Sequence, residues 1–381
     1  MAESQKGYLQ NNEIIPINTR INIENETFIF LRYINQGTFS NSYEIEDLFS
    51  NRKFAIKIHR IGHIYTDQGI NEVKILENLK NNPYIVKMFA YFSFRNQFCI
   101  VQELLSNNLY DAIKSMDFRG FGHYYVKVIG RQLLEALQYL KSKGIVHSDL
   151  KPENICLENN PGRKLRVKLI DFGSSFLESG TGTCCVQSRF YRSPESIFGM
   201  KITTEADLWS FGCILYELIM GMPLFPGGDN YEQVLRYVKL IGMPSMNILR
   251  TGLKIDDFFH RSSSKWFLDL NIAGQKADYY LLYCNDTDFK SYLTPKKLER
   301  EIHHRTPSIL DNCYLIDVLF RILKMEPLDR IPINKLLQHS YFANDESKIP
   351  MNNTQRLRPI RRKIVRPSSH MRPRHFNFDT I

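Results

Sequence analysis

The sequence predicts an α+β protein of two lobes, a small one with five strands and one helix and a larger one that is mainly helical. Two observations lead to this prediction. Up to residue 103 the apolar residues alternate with polar ones over short runs, as in half-buried strands, and a single run has helical spacing instead. Beyond residue 108 they recur every three or four positions, which is the period of helices that pack on one face.

The first lobe is predicted to cover residues 28–103, after an N-terminal extension of residues 1–27. Its strand-like runs are TFIFLRYI, NSYEIED, NRKFAIKIH, IVKMFAYF and QFCIVQEL. Between the third and fourth, a run from Asp67 to Asn82 has apolar residues on one helical face. Pro83 ends this helix, because proline has no amide hydrogen to donate.

The second lobe is predicted to extend from residue 108 to residue 342. HYYVKVIGRQLLEALQYLKSKG has an apolar stripe, whereas EADLWSFGCILYELIMG is apolar nearly all round and therefore indicates a central helix. YEQVLRYVKLIG, CYLIDVLFRILKM and INKLLQHSYF indicate three more helices. From about 244 to 310 the pattern is weak and polar, which predicts an insert in this lobe.

Positive charge is concentrated at the C-terminal end. The 381-residue chain has a net charge of +10, and residues 351–381 contain eight Arg or Lys against Asp379 alone, a net +7. A basic, polar segment with several prolines predicts disorder for residues 343–381. Such a tail is either solvated without a specific partner or a contact for an anionic partner such as RNA or for nuclear import. The sequence leaves these alternatives open.

Composition indicates a soluble protein of a reducing compartment. The seven cysteines are scattered, without a CxxC pair, as expected for free thiols. The N-terminal residues lack the basic and apolar regions of a secretory signal. Glu217 and Pro223 interrupt the most apolar window, which favours a buried helix over a membrane span. We expect a monomer of the cytoplasm, the nucleus or both, with no membrane contact.

Two nearby segments contain the residue types that phosphoryl transfer requires. IVHSDLKPENICL places Asp149, Lys151 and Asn154 within six positions, and VKLIDFGSS places Asp171 between an apolar strand and a glycine. Asn154 and Asp171 are oxygen ligands suited to Mg²⁺. Lys151 can hold the transferring phosphate, and Asp149 can orient the attacking hydroxyl and accept its proton.

In this order and spacing, the motifs resemble those of the eukaryotic protein kinases from residue 28 to residue 342. HSDLKPEN resembles the catalytic loop, DFG the metal-binding turn, FAIK the third strand and SPE the end of the activation segment. The resemblance implies a bilobal kinase fold, ATP and Mg²⁺ as cofactors, and protein substrates.

The resemblance also assigns roles to individual residues. It implies catalytic roles for Asp149 and Lys151 and metal ligation by Asn154 and Asp171. The ATP-binding residues that it implies are Asn35, Gly37, Ser42, Ala55, Lys57, Glu72, Glu103 and Leu105. Within this set Lys57 contacts the α- and β-phosphates, and Glu72 is its ion-pair partner. The structural residues that it implies are His147, Glu195, Asp207 and Arg330, with Asp207 bracing the catalytic loop and Arg330 pairing with Glu195.

Three further segments resemble the dual-specificity tyrosine-regulated kinases, the DYRK/YAK family of the CMGC group. These are SRFYRSPE, FRNQFCIVQELLSNNLYD and DFGSS, and relatives of this family share an insert late in the large lobe. The resemblance implies transfer to Ser and Thr of other proteins, with tyrosine modified only in the enzyme's own activation segment. RPSS at 366–369 resembles the arginine- and proline-directed sites of such kinases, so the tail could occupy its own substrate groove.

The nucleotide site departs from the family pattern at several positions. Asn35 and Ser40 stand where the family has glycines, and Ser42 replaces a valine that packs on adenine. We expect a non-glycine residue in a left-handed conformation there to cost about 1–2 kcal/mol, which would weaken ATP binding without abolishing it. Gln102 replaces a bulky aromatic residue at the back of the adenine pocket. The alternative is a pseudokinase scaffold, against which the intact charged residues argue.

The activation segment lacks the family's tyrosine. Cys185 stands in its place, and Ser148 replaces the arginine with which many kinases bind a phosphorylated activation loop. We therefore predict activity without activation-loop tyrosine phosphorylation. Two threonines remain candidate phosphorylation sites, and two arginines are candidate partners for the phosphate. These residues are Thr181, Thr183, Arg189 and Arg192.

Overall fold

The first lobe is built on one antiparallel sheet of six strands. We describe the chain from a computed structural model, which describes residues 14–23, 26–80, 82–159, 164–180, 186–262, 265–268, 270–272, 275–277 and 294–343. The strands are Arg20–Ile23 (β1), Glu26–Gln36 (β2), Ser40–Asp47 (β3), Lys53–His59 (β4), Met88–Phe94 (β5) and Gln97–Glu103 (β6). Their order across the sheet is β1-β2-β3-β4-β6-β5.

The predicted count of five strands is wrong by one. The additional strand, β1, lies in the segment predicted to be an N-terminal extension, and it pairs with β2 from Arg20 opposite Ile29 to Ile23 opposite Glu26. Ile15 and Ile21 are buried in the core of the sheet, and the Ile15 amide donates to the Tyr43 hydroxyl at 3.1 Å. A strand of four residues is too short for its alternation to stand out in the sequence.

One helix, α1 (His63–Asn78), packs against β4, β5 and β6. It begins four residues before the predicted run and ends four residues before Asn82. Its first turn gives no periodic signal, since Ile64 is exposed there. The buried face includes Glu72, a charged residue whose side chain is inaccessible to solvent, which places a carboxylate at the inner edge of this lobe.

The second lobe is mainly helical, with short strand pairs at its inner edge and in its insert. Its helices are Leu109–Ser115 (α2), His123–Ser142 (α3), Pro194–Ile197 (α4), Glu205–Met220 (α5), Asn230–Ile241 (α6), Met246–Thr251 (α7), Pro295–Arg305 (α8), Ile309–Ile322 (α9) and Ile333–Leu337 (α10). Its strands are Ile145–Val146 (β7), Ile155–Leu157 (β8), Val167–Leu169 (β9), Phe176–Leu177 (β10), Phe259–Ser262 (β11), Lys265–Leu268 (β12), Leu270–Ile272 (β13) and Gln275–Ala277 (β14).

Helix α5 is the centre of the second lobe, as its apolar composition predicts. Every residue from Ala206 to Met220 is buried. The helix ends at Gly221, which has φ 77°, and a Cβ atom there would lie 1.9 Å from the Phe118 carbonyl oxygen. Only glycine is compatible with both constraints. Helices α3, α8 and α9 pack around α5. The α+β fold class with two lobes is confirmed.

Two short pairs of antiparallel strands hold the segments with the predicted catalytic residues. Strand β8 pairs with β9, and β7 pairs with β10. The catalytic loop joins β7 to β8, and the DFG turn joins β9 to β10. The first strand of the four pairs with the last, and the two middle strands pair with each other. The two loops therefore lie next to each other although about 20 residues separate them in sequence.

The insert contains α7, the hairpins β11–β12 and β13–β14, and α8, whose Leu298 and Ile302 are buried against the lobe. Residues 278–293 of the insert and residues 344–381 of the tail lie outside the described residues, so the predicted disorder of the tail stays a prediction. Among the described helices, none combines the length and apolar character that crossing a membrane requires.

Candidate active site

Lys57 joins three elements of the fold at the junction of the lobes. Its Nζ lies 2.6 Å from Glu72 Oε2 on α1 and 2.7 Å from Asp171 Oδ1 in the DFG turn. Burial lowers the pKa of Lys57, but the two carboxylates outweigh it and raise this pKa above its usual value. Burial likewise raises the pKa of Asp171, yet the Lys57 charge holds it at about 2. All three groups are therefore ionised near neutral pH.

Asp149 is held by three donors on its two carboxylate oxygens. Oδ2 accepts from Lys151 Nζ at 2.8 Å and from Asn154 Nδ2 at 3.0 Å, and Oδ1 accepts from Ser188 Oγ at 2.7 Å. Burial lowers the pKa of Lys151, and its contact with Asp149 more than reverses that, so the ammonium stays charged. The carboxylate is thus fixed in one orientation beside a cation.

Ser188 is a site residue that the sequence analysis missed. Lys151 Nζ also lies 3.1 Å from Ser188 Oγ, so this serine contacts both predicted catalytic residues. It lies 39 residues beyond Asp149, in the SRFYR motif. That motif indicated the family and gave no reason to single out its serine.

The catalytic loop is held by Asp207 at the start of α5. Its two carboxylate oxygens accept the amides of His147 at 2.7 Å and Ser148 at 3.0 Å. Burial outweighs these two donors and raises the pKa of Asp207 to about 7. Ser148 has φ 64°, in the left-handed region, and the Asp207 contact stabilises this turn.

His147 connects the catalytic loop to the DFG turn. Its Nε2 donates to the Ile170 carbonyl at 3.1 Å, and its Nδ1 accepts the Asp149 amide at 3.2 Å. Burial lowers the pKa of His147, which favours the neutral ring that these two bonds require. The histidine thereby links the backbone positions of Asp149 and Asp171.

The predicted metal ligands fit Mg²⁺ by the chemistry of their free oxygens. Asn154 Nδ2 donates to the Asp149 carbonyl oxygen at 2.8 Å as well as to its carboxylate, which leaves the amide oxygen available as a ligand. Asp171 uses Oδ1 for Lys57, and its side chain remains 42% exposed. Two protein oxygens with phosphates and water are the ligand set that Mg²⁺ prefers.

Strands β2 and β3 form a hairpin with a short turn, and the strand residues on either side of the turn are extended. Asn35 pairs with Ser42 and Ser40 pairs with His59, and neither Asn35 nor Ser40 has a positive φ. The expectation of a left-handed strain at these positions is therefore wrong. At Gly37 a Cβ atom would meet the Ser40 carbonyl oxygen at 3.4 Å, an ordinary contact. The missing glycines cost the loop no backbone strain.

The end of β6 and the residues just after it offer polar groups to a nucleotide base. The Leu105 backbone makes no hydrogen bond to any described residue, and Gln102 is buried with its Nε2 unpartnered among them. Ala55 lies opposite Gln102 on β4. The Glu103 carboxylate accepts from Lys168 Nζ at 2.6 Å and the Lys87 amide at 2.7 Å, so its side chain anchors this segment.

Several hydrogen bonds hold the described part of the activation segment. Ser148 Oγ donates to the Ser174 carbonyl, Ser175 Oγ to the His147 carbonyl at 3.0 Å, and Asn71 Nδ2 to the Ser175 carbonyl at 2.8 Å. Arg192 donates to the Gln187 carbonyl at 2.8 Å. The guanidinium of Arg189 donates to the Gly228 carbonyl, while Thr181, Thr183 and Cys185 lie outside the described residues.

Glu195 and Arg330 form a bidentate ion pair, with both N–O distances 2.7 Å and both side chains buried. Arg330 also donates to the carbonyls of Glu205 at 2.7 Å and Lys324 at 3.1 Å. This pair joins the end of the activation segment to the segment between α9 and α10.

At the junction of the two lobes, a strand lysine pairs with a helix glutamate, opposite a catalytic loop and a DFG turn. This arrangement defines a protein kinase. The protein kinase domain model matches residues 28–342 of the chain. The chain is 30% identical over 364 residues to the dual specificity protein kinase YAK1 of Saccharomyces cerevisiae, covering 89% of this chain and 45% of that protein. It is 40% identical over 326 residues to the probable serine/threonine-protein kinase dyrk2 of Dictyostelium discoideum, covering 83% of this chain and 33% of that protein.

A human relative gives the same result. The chain is 36% identical over 333 residues to the dual specificity tyrosine-phosphorylation-regulated kinase 4 of Homo sapiens, covering 86% of this chain and 60% of that protein. The chain belongs to the protein kinase family, and the three relatives are named as YAK- and DYRK-type kinases. The comparisons do not support the pseudokinase alternative. The chain spans between 33% and 60% of the length of these relatives.

Proposed function

We propose that this chain is an active serine/threonine protein kinase that transfers the γ-phosphoryl group of ATP to protein hydroxyls. The observation that supports this most strongly is the Asp149 carboxylate, fixed by Lys151, Asn154 and Ser188 at 2.7 to 3.0 Å. A scaffold without transfer would have no need for so many donors on one carboxylate at the junction of the lobes.

In this proposal each charged residue has one task. Lys57, held by Glu72, binds the α- and β-phosphates, and Lys151 stabilises the γ-phosphoryl group. Asn154 and Asp171 would hold Mg²⁺, which would supply positive charge to offset that of the phosphates. Asp149 orients the substrate hydroxyl and takes its proton while the new O–P bond forms and the bond to the β-phosphate oxygen breaks.

The direct test is phosphate transfer from MgATP to a basic protein, comparing wild type with Asp149→Asn. We expect the substitution to lower kcat by about a hundredfold or more. Asp317→Asn is a matched control, because this carboxylate lies on α9 in an exposed pair with Arg321. Absence of transfer by wild type, with thermal stabilisation by MgATP retained, would favour a nucleotide-binding scaffold instead.

A second feature supports a preference for proline after the acceptor residue. Gln187 precedes Ser188, which touches Asp149, so the substrate residue after the acceptor should lie near Gln187. The Gln187 backbone has φ 74°, and its carbonyl accepts from Arg192 Nε at 3.1 Å and Nη2 at 2.8 Å. This carbonyl is therefore not free to accept a substrate amide, and proline has none to leave unpaired. A peptide pair with Pro or Ala after the serine tests this preference.

A third feature supports basic residues before the acceptor. Glu153 lies in the catalytic loop, and its charge acts on Glu217 of α5. Neither carboxylate has a Lys or Arg partner among the described residues. Glu153 Oε2 is buried without a hydrogen-bond partner there, and Glu217 Oε2 accepts only the Tyr191 hydroxyl, at 2.7 Å. A substrate arginine would supply the missing cation with a geometry that suits carboxylates.

The hydrogen bonds of Ser148, Ser175 and Asn71 support activity without activation-loop tyrosine phosphorylation. They hold the start of the activation segment by neutral groups, where many kinases use an arginine and a phosphate. Intact-protein mass spectrometry alongside activity assays tests this. Stoichiometric phosphotyrosine between Thr181 and Tyr191, with activity that follows it, would contradict the proposal.

The basic tail supports an accessory role in binding an anionic partner such as RNA, or in occupying the substrate groove. Truncation after Asn352 separates these roles. Loss of a steeply salt-dependent RNA affinity indicates the first, and increased turnover indicates the second. If neither changes, the tail has neither role.

A further inference from the structure

The tip of the loop between β2 and β3, residues 37–40, is docked on the connection between β4 and α1. The Gly37 amide donates to the Ser40 carbonyl at 2.8 Å, which closes the turn. The Arg60 amide donates to the Phe39 carbonyl at 3.0 Å, so the turn is tied to the residue that follows β4. These backbone contacts give the loop tip a defined position beside the start of α1.

The Phe39 side chain at the loop tip packs against Tyr65 in the first turn of α1. The centroids of the two rings lie 6.3 Å apart, and the angle between the ring planes is 44°. This distance is within the range over which aromatic side chains attract each other. Phe39 is 39% exposed, so more than half of a side chain at the tip of a loop is covered.

The turn that leads into α1 brings Tyr65 to this position. Gly62 precedes the helix with φ 136°, a conformation that residues other than glycine rarely adopt. A Cβ atom at Gly62 would lie 3.3 Å from Tyr65 Cδ2. The Tyr65 ring therefore lies close to the Gly62 backbone and to Phe39 at once.

Tyr65 lies on the face of α1 that meets the rest of the nucleotide site. Gln68 and Glu72 follow it at spacings of three and four residues, so the three side chains share one face of the helix. Glu72 pairs with Lys57 at 2.6 Å. A Cβ atom at Gly173 of the DFG turn would lie 3.1 Å from Gln68 Nε2, so Gln68 reaches that turn. This face of α1 thus contacts the loop tip, the DFG turn and the strand lysine.

The loop tip lies beyond Lys57 in the direction of α1. Ser42 pairs with Lys57, and Ser40 pairs with His59, so β3 passes Lys57 two residues from the tip. Lys57 is the residue proposed to bind the α- and β-phosphates. A loop tip in this position would cover the phosphates of a bound nucleotide, whereas the end of β6 would contact its base.

We propose that Tyr65 is a positioning residue that acts through Phe39 to hold the loop tip over the phosphates of ATP and so strengthens nucleotide binding. This inference rests on the proposed kinase function. Helix α1 then positions two groups for the phosphates, Lys57 through Glu72 and the loop tip through Tyr65.

The test compares wild type with Tyr65→Ala and with Tyr65→Phe, which keeps the ring. The KM for ATP and kcat are measured by phosphate transfer at saturating protein substrate. An aromatic pair changes a binding constant by about two- to tenfold. We expect Tyr65→Ala to raise the KM for ATP by this factor with kcat nearly unchanged, because the contact serves binding and not the chemical step.

Tyr65→Phe should follow wild type, since the hydroxyl has no part in the contact. Ile64→Ala, at a neighbouring residue that is 79% exposed, is the matched control and should also follow wild type. A Tyr65→Ala enzyme with the KM of wild type would overturn the proposal, as would one in which kcat falls and the KM does not change.

A double-variant cycle tests whether Tyr65 acts through Phe39. In the Phe39→Ala background, Tyr65→Ala should have little further effect on the KM for ATP, because its partner is already missing. If the two substitutions multiply each other's effects, Tyr65 does not act through Phe39 and the proposal fails.

Calorimetry with two ligands identifies the part of the nucleotide that the contact serves. Tyr65→Ala should weaken the binding of MgADP by about two- to tenfold and leave the binding of adenosine, which has no phosphates, unchanged. Equal weakening of both ligands would indicate a general disturbance of the first lobe and would overturn the proposal.

The MgADP measurement also separates this proposal from the proposed function. If wild type transfers no phosphate, the kinase function fails. Weaker binding of MgADP to Tyr65→Ala than to wild type would still support the role of Tyr65. Equal MgADP affinities would overturn that role whether or not the protein transfers phosphate.

Discussion

At the scale of single residues, Ser188 gives the sharpest prediction. Ser188→Ala removes the donor to Asp149 Oδ1, so that side-chain donors hold the carboxylate through Oδ2 alone. A hydrogen bond to a charged group contributes about 1.5–3 kcal/mol, so kcat should fall by roughly ten- to a hundredfold. The KM for ATP should change little, because Ser188 contacts Asp149 and Lys151 and is not among the residues that touch Lys57.

Ser188→Thr is the matched variant, since it keeps the hydroxyl, and it should retain most of the wild-type kcat. Steady-state kinetics at saturating ATP measure both variants. Equal losses in Ser188→Ala and Ser188→Thr would show that packing, and not the hydroxyl donor, matters at this position.

Restoring glycine at the nucleotide loop should not improve ATP binding. Asn35 and Ser40 are in extended, paired strands, so Asn35→Gly with Ser40→Gly relieves no strain. Glycine in a strand costs about 0.5–1 kcal/mol per position through lost chain entropy. We expect an unchanged KM for ATP and a lower urea midpoint. A tenfold drop in KM would show instead that the two side chains obstruct the phosphates.

Glu217 predicts a pH-dependent preference for arginine in the substrate. Burial, opposed by the Tyr191 hydroxyl and reinforced by Glu153, raises the pKa of Glu217 to about 7. Below pH 7 this carboxyl is mostly protonated and loses its attraction for a cation; above pH 7 it is ionised. At saturating ATP, the KM for an arginine-containing peptide should therefore be higher at pH 6 than at pH 8.

A peptide with glutamine in place of that arginine should show a smaller change in KM. Glu217→Gln should remove the difference between the two peptides at pH 8. If the KM for the arginine peptide is the same at pH 6 and pH 8, Glu217 does not bind the substrate cation.

At the scale of elements, length decides what the sequence can predict. Helix α3 and helix α5 have 20 and 16 residues, and their apolar periodicity gives their boundaries within two residues. Strand β1 has four residues and was missed. For the same reason, local patterns indicated Lys57 and Asp149, whereas Ser188 depends on a contact across 39 residues. Such a contact has no local signature.

Strand β1 should contribute to stability although it lies outside the residues matched by the kinase model. Ile21 is 5% exposed in the core of the sheet, so Ile21→Ala should lower the free energy of unfolding by about 2–4 kcal/mol. Ile17→Ala, at a residue that is 46% exposed, is the control and should cost less than about 0.5 kcal/mol. Urea unfolding measures both. Equal midpoints would show that β1 is dispensable.

At the scale of the whole molecule, the active site depends on contacts between distant parts of the chain. Lys57 and Asp171 are 114 residues apart, and Glu195 and Arg330 are 135 apart. The first contact joins the two lobes at the nucleotide site. The second joins the activation segment to the C-terminal part of the second lobe, next to the proposed substrate site. Stability and catalysis should therefore be linked through the second contact.

Glu195 and Arg330 allow this link to be tested. Removing one partner of a buried ion pair leaves the other charge unpaired, so Arg330→Leu should cost about 3–5 kcal/mol of stability. The double variant Glu195→Leu with Arg330→Leu leaves no such charge and should be more stable than Arg330→Leu alone. Arg330 also donates to two carbonyls and lies over the Trp209 ring, so the double variant should remain below wild type.

The measurements are urea unfolding and the KM for a peptide substrate in the three proteins. If the pair also holds the end of the activation segment in place, the double variant should recover stability without recovering the peptide KM. Recovery of stability without recovery of the peptide KM would show that the pair serves mainly to position the substrate site. A double variant no more stable than Arg330→Leu would mean that the carbonyl contacts of Arg330, and not its charge pairing, dominate its contribution.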